Sequence, residues 1–366
     1  MSDLPQELVD AVVDEIDDHE ALEAFSLVSR SFVSSCQRRL FHTIRFEDAR
    51  SLRAITQKFT SCPHLRSYVQ VLQIGFLFST KHLKAVASLV GMLQDLRRMT
   101  WGMWMDKMKP KYLIRAMKRS LRNPSMQCLT LDACSVPPSV LSYAAAFTSE
   151  LHLGMVGLDL GSEPPSTRVP RARTNLKELS HLTMGAEQRR GRVARALLPH
   201  LGALQKYEDD LSSMTIFNLV VGATCKTLEH LQLREIPFRR LRRLARIPHR
   251  PRMESLRFLG IDLREDVSEL SLTRIFSTLP KPSEVPRLET LSLLIAPADM
   301  LLPVPKSDLP VDWEAYECLC QINVDFRWSY EEPDEEAILA AYIHRQPFPS
   351  RIRVCVSNRM DEDFPL

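Results

Sequence analysis

The chain has 366 residues, enough for a large core and for one to three domains. With 45% hydrophobic and 25% charged residues it reads as a folded globular protein, and a formal charge of +3 is too small to predict a polyanionic partner for the whole molecule. The acidic beginning lacks the apolar run of a secretory signal, and no stretch approaches the roughly 18 uninterrupted apolar residues of a membrane helix, so cytosol or nucleus is expected and a membrane partner is not.

The first predicted element is a helix in LPQELVDAVVDEI, where Leu8, Val9, Val12, Val13 and Ile16 recur at helical spacing among acidic and amide residues. Pro5 suits its first turn, since its missing N–H would be unpaired there anyway. A second helix is expected in EALEAFSLVSRSF and a third in SFVSSCQRRLF, with Phe32, Val33, Cys36 and Leu40 at helical intervals. HTIRF then alternates as a short strand, with Ile44 and Phe46 on one side. Three short helices make a unit near the lower size limit for independent stability, so part of the first apolar stripe should meet another body, either the rest of the chain or a partner.

The ordered set Leu4-Pro5-x-Glu7-Leu8, Val12, Ile16, Leu22, Leu27-Val28-Ser29-Arg30-Ser31-Phe32, Leu40-Phe41 and Ile44 resembles an F-box, and is most similar to the fungal type. The link DDHEAL departs from the family's commoner spacing between the first two helices. The resemblance spans residues 3–46 and implies docking on the Skp adaptor of a cullin-type ubiquitin ligase. It puts Leu4, Pro5 and Leu8 at the adaptor surface, with Val12, Ile16, Leu22, Val28 and Phe32 as contact or core positions.

Beyond the F-box-like segment a repeat recurs. Met126-x-x-Leu129-x-Leu131-x-x-Cys134-x-Val136 fits the leucine-rich-repeat consensus throughout. Used as a ruler, it finds related units beginning at 69, 96, 148, 179, 228, 253 and 288, with weaker ones near Leu201, Leu319 and Pro349. Successive starts lie 22 to 35 residues apart, which brackets a leucine-rich solenoid with inserted loops. Each unit would supply a strand and a return helix, as in KHLKAVASLVGML and YLIRAMKRSL. Only Cys134 clearly occupies the consensus Asn/Cys position, and chance spacing in another α/β protein is the competing explanation. The stretches at 161–174, 279–287 and 297–310 read as exposed loops. From Val311 the pattern changes to Trp313, Trp328, EEPDEE at 331–336, a helix in DEEAILAAYIHR and a strand in RIRVCVS, as in the end of a solenoid or a cap. The expected fold is therefore α/β. A three-helix F-box at 1–47 is followed by a leucine-rich-repeat-like solenoid at 48–310, with a curved parallel sheet and outer helices, and by a repeat or cap segment at 311–366.

No phosphate-cradling, dinucleotide, nucleophile-elbow or zincin motif occurs, and the ten histidines are dispersed. The eight cysteines form no C-x-x-C pair and are expected to be reduced and mostly buried. Cys225, beside Lys226, is the nearest candidate for an activated thiol, in a setting too weak to support one. No catalytic residue, metal or cofactor is expected. The run REIPFRRLRRLARIPHRPR at 234–252 holds eight arginines and no lysine, and EQRRGRVAR at 187–195 forms a second basic cluster. The first is either a solvated outer helix, with Leu241, Leu244 and Ile247 inward, or a surface for acidic or phosphorylated peptides. Nothing resembling a nucleic-acid motif accompanies it.

Residues between the inward apolar positions should face a bound partner: Thr130, Asp132, His152, Thr183, Gln232, Arg234, Arg257 and Ser292, with Arg239 and Arg243 on the basic helix. The resemblance thus implies a non-catalytic substrate receptor that joins a target protein to the Skp adaptor and, through it, to a cullin. The alternatives are a scaffold that recruits no ligase, for which the exposure of Leu4, Pro5 and Leu8 is the discriminating observation, and an enzyme of unrecognised type, which would need a deep pocket.

Overall fold

The computed structural model describes residues 5–75, 82–105, 111–154, 156–158, 176–181, 196–211, 213–245, 251–264, 275–295, 311–326, 341, 343 and 348–358. The expected loops at 161–174 and 297–310, the basic cluster at 187–195 and the acidic run at 331–336 lie outside these residues, as do Leu4, Thr183, Arg246, Ile247 and Trp328.

Three helices open the chain. In α1 (Gln6–Asp14), the Pro5 carbonyl accepts from the Leu8 and Val9 N–H groups at 3.0 and 3.2 Å. In α2 (His19–Val28), the Asp18 carboxylate accepts from the Glu20 and Ala21 N–H groups, satisfying two donors that a helix start leaves unpaired. The Ser29 hydroxyl caps α3 (Arg30–His42). The atypical link before α2 therefore ends in a side-chain cap. Val13, Leu22 and Cys36 form the buried centre, and Ile16, Phe25, Phe32 and Leu40 pack against it. Phe25 and Phe32 meet edge to face at 5.5 Å.

The chain divides into two compact units, 1–176 and 177–366. In the first, β1 (Thr43–Phe46), β2 (Val71–Ile74), β3 (Arg98–Met105), β4 (Cys128–Val136) and β5 (Glu150–Leu153) pair in that order, all parallel, and β6 (Gly157–Leu158) pairs with the end of β4. Parallel neighbours need crossovers, and the helices α4 (Ala49–Ser61), α5 (Leu83–Met92), α6 (Lys111–Leu121) and α7 (Pro138–Phe147) supply them. Cross-strand register aligns Ile44, Leu72, Met99, Leu129 and Leu151 in one buried row, and Phe46, Ile74, Trp101, Leu131 and Leu153 in the next. Helical faces such as Ile114, Met117 and Leu121 complete this core.

In the second unit, β7 (Glu178–His181), β8 (Lys206–Asp209), β9 (His230–Pro237), β10 (Phe258–Arg264), β11 (Thr290–Ile295), β12 (Gln321–Phe326) and β13 (Arg353–Asn358) run parallel in sequence order. The helix α8 (Met214–Thr224) follows β8, and α9 (Phe238–Ala245) follows β9 directly. Leu179, Tyr207, Leu231, Leu259, Leu291 and Ile322 form a buried row. The segment from 311 continues this sheet with two more strands. Trp313 anchors it from beneath, ringed by Phe276, Tyr316 and Phe348 with centroids 5.1 to 6.1 Å away.

One backbone feature repeats with the pattern. Among the described residues the positive-φ positions other than glycine are Ala133, Leu211 and Glu235, at φ 46, 51 and 49°. Each stands two residues beyond the second inward residue of its strand (Leu131, Asp209 and Leu233). The left-handed residue turns the chain so that Cys134 and Ile236 point inward again, where simple alternation would not put them.

The ruler needs correction at four places. The observed registers move the start at 179 three residues earlier, to Leu176, and those at 201 and 253 three residues later, to Leu204 and Leu256. Apolar residues three apart fit both choices, and the second inward residues of the latter two strands are Asp209 and Ile261, the first of them polar. Near Pro349 the start moves to Arg351, because Val354 aligns with Ile322. The stretch 279–287 is not simply an exposed loop, since Pro280 and Val285 are buried around a short 3-10 turn at Pro282–Glu284. The cysteines are also more evenly spread than expected: Cys36, Cys128 and Cys134 are buried, Cys62 and Cys225 intermediate, and Cys318, Cys320 and Cys355 exposed.

Candidate functional site

The helix α1 is apolar on two sides. Val9 and Val13 are each 1% exposed, whereas their neighbours Leu8 and Val12 are 53% and 48% exposed. The helical repeat puts Leu8 and Val12 on one face, four residues apart. At the end of α2, Leu27 and Val28 are 87% and 71% exposed, and Pro5 is exposed as well. Four large apolar side chains of this small module are left in water. Of the expected adaptor positions, Pro5, Leu8, Val12 and Val28 thus face solvent. Ile16 and Phe32 are half-buried against the helical core, and Leu22, 4% exposed, belongs to that core and not to the surface. Leu27, passed over among the expected contacts, is the most exposed of all.

A polar network joins α1 to α3 beside this surface. Ser35 donates to Asp10 Oδ1, the Gln6 amide donates to the same oxygen at 2.9 Å, and Arg38 lies 3.6 Å from Oδ2. The Ser35 hydrogen bond, then that of Gln6, then the Arg38 charge hold the Asp10 carboxyl below the ordinary range. The network adds a polar tie between α1 and α3 to their apolar packing.

In the first unit, the sheet face opposite the buried rows is polar. Thr100, Thr130 and His152 align across it, beside Arg98, Cys128 and Glu150. Arg98 lies 3.8 Å from Glu150 Oε2. The Asp132 carboxylate lies across Gly154 of the next strand, in the space a Cβ would fill. The expected residues Thr130, Asp132 and His152 therefore share one face with Cys128 and Glu150, neither of which had been singled out. Both lie one register step from Thr130 and His152, so the strand pattern could have found them.

In the second unit the corresponding face carries Lys206, Glu208, His230, Gln232, Phe258 and Ser292. Glu208 is held by Arg234 at 3.2 Å and Lys206 at 3.6 Å. His230 and Phe258 stack with centroids 4.1 Å apart and planes 4° from parallel. Burial, then the nearby Lys206 charge, pushes the His230 imidazole below its ordinary range, which keeps the stacked ring neutral near pH 7. The Gln232 amide lies over Gly260. The corrected register takes Arg257 out of the row between inward residues: it precedes β10, is exposed and pairs with Glu289 at 3.7 Å. Gly260 and Phe258 hold the face positions instead. In β7 it is Ser180 that aligns with Glu208 and, through it, with Gln232.

On α9, Leu241 is buried and Leu244 intermediate, while Arg239, Arg242 and Arg243 are exposed. Arg240 donates to the Asp210 carbonyl at 3.2 Å. Both readings of this basic helix need that geometry. Among the described residues no helix is long and apolar enough to cross a membrane.

No protein-family model matches the chain, and no curated protein matches it. The class defined by the fold itself is an α/β protein whose units each carry a parallel sheet with one apolar and one polar face.

Proposed function

We propose that the protein is a non-catalytic substrate receptor of a cullin-type ubiquitin ligase, binding the Skp adaptor through its N-terminal helices and a target protein through its polar sheet faces. The observation that carries this reading is the pairing on α1 of buried Val9 and Val13 with exposed Leu8 and Val12, together with exposed Leu27 and Val28 on α2. A scaffold that recruits nothing through these helices would gain by burying or replacing such side chains, at about 1.5–3 kcal/mol for each fully buried one. Their exposure supports recruitment.

On this reading the chain contributes proximity and no covalent step. It holds a target near a ubiquitin-conjugating enzyme, raising the effective concentration of the target's lysines. Thr130, Asp132 and His152 on one unit, and Gln232, Arg234, Arg239 and Arg243 on the other, are the target contacts, with arginine's fork suited to acidic or phosphorylated segments. The cytosol or nucleus is the matching compartment, and nucleic acid and membranes are not partners. The test is co-purification of the full chain with the Skp adaptor and a cullin from cells, comparing wild type with a folded Leu8→Ala, Val12→Ala variant. Recovery of both partners by wild type and their loss in the variant is expected. Equal recovery, or none by folded wild type, removes the ligase assignment.

A further inference from the structure

Cys128, Glu150 and His152 converge on the polar face of the first unit, and from them we propose a binding site for a zinc-class divalent cation. The proposal stands apart from the ligase reading. Cys128 and Glu150 are directly opposed in the parallel register, and His152 follows on the same face of β5 beside Thr130. The thiol sulfur, a carboxylate oxygen and an imidazole nitrogen lie within 4.8 Å of one another. Metal–ligand lengths of about 2.0–2.3 Å at tetrahedral angles require such atoms to stand roughly 3.3–3.8 Å apart. Closing that gap takes side-chain rotations of about 1 Å, with both backbones fixed by the sheet.

The donor set selects the ion. A thiolate and an imidazole favour zinc over magnesium or calcium, and a carboxylate completes a mixed set that zinc accepts. Cys128 is buried, while Glu150 and His152 are intermediate, so the fourth position opens toward the polar face. Water or a donor from a bound chain can fill it. Arg98 lies 3.8 Å from Glu150 Oε2, at the rim of the cluster.

Binding through the thiolate displaces the thiol proton to solvent, so affinity should rise with pH.

The experiment is a titration of the full chain with cobalt(II), followed by thiolate-to-cobalt charge-transfer absorption, then displacement by zinc(II). Wild type should bind one equivalent, with the band lost in Cys128→Ser and the affinity lowered at least about tenfold in His152→Ala. Cys355→Ser, at an exposed thiol in the other unit, should leave the band unchanged. His152→Ala, at a half-buried position, keeps the test valid if Cys128→Ser misfolds. No band in folded wild type, or an affinity indifferent to His152→Ala, overturns the site.

Discussion

Val12 and Val13 are adjacent, identical and predicted to matter in opposite ways. Val13 is 1% exposed in the helical core and Val12 is 48% exposed on the outer face of α1. Truncating Val13 to alanine removes two buried carbons at about 0.8 kcal/mol each and leaves a void beside Leu22 and Cys36, for a total of about 2–3 kcal/mol. The same change at Val12 removes atoms that are already half in water and should alter stability by less than about 0.8 kcal/mol. On the proposed reading the exposed half of Val12 is buried on the adaptor, so Val12→Ala costs about 1 kcal/mol of binding, roughly a fivefold rise in Kd. Urea denaturation followed by circular dichroism reads the first effect, and calorimetric titration with the Skp adaptor reads the second. The two variants should fall in opposite corners of a stability-against-affinity plot. Equal destabilisation by both would refute the assignment of α1's faces.

Three further outcomes follow from local geometry. Ala133 sits at φ 46°, so Ala133→Val should destabilise by about 1–2 kcal/mol, while Ala133→Gly should be close to neutral, as measured by denaturation midpoints. A Cβ at Gly154 would meet the Asp132 side chain down to its own Cβ, whereas one at Gly260 would meet only the far end of Gln232. Gly154→Ala should therefore cost about 1–2 kcal/mol and Gly260→Ala less than about 1, with Asp132→Ala relieving the first in a double-mutant cycle. Ser35→Ala should raise the Asp10 pKa in an NMR titration, since the Ser35 hydrogen bond is the largest influence lowering it. A carboxyl depressed in the folded state stabilises above its unfolded pKa and loses that contribution as pH falls through the folded value, so the acid-induced loss of stability should shrink in Ser35→Ala.

The sequence carried most of the architecture where inward residues were leucine-like. The units at 69, 96, 126, 148, 228, 288 and 319 were legible because both inward positions are apolar, as in Leu151 and Leu153. At 204 the inward pair is Tyr207 and Asp209, and a buried aspartate is invisible to a hydrophobic ruler. It is tolerated because Tyr207 donates to one carboxylate oxygen and the Leu211 N–H to the other. At 253 a three-residue slip left Leu256 in the pattern and exchanged Phe258 with Leu259, which moved Arg257 onto a face it does not occupy. The helical module was legible as three helices, but not in its facing. Leu8, Val9, Val12 and Val13 are all apolar, and only the packing of α1 on α3 decides which pair is covered. In the Cys128, Glu150 and His152 cluster, Cys128 stands some twenty positions before the other two, and only the strand register, which the units at 126 and 148 already implied, brings it beside them.

The most direct measurement is calorimetric titration of the full chain with purified Skp adaptor, beside a Leu8→Ala, Val12→Ala, Leu27→Ala, Val28→Ala variant whose fold is verified by circular dichroism. Wild type should bind, and the variant should bind at least about a hundredfold more weakly, given the apolar surface removed. No binding by folded wild type, or equal binding by the variant, would contradict the assignment of these helices as an adaptor-binding surface.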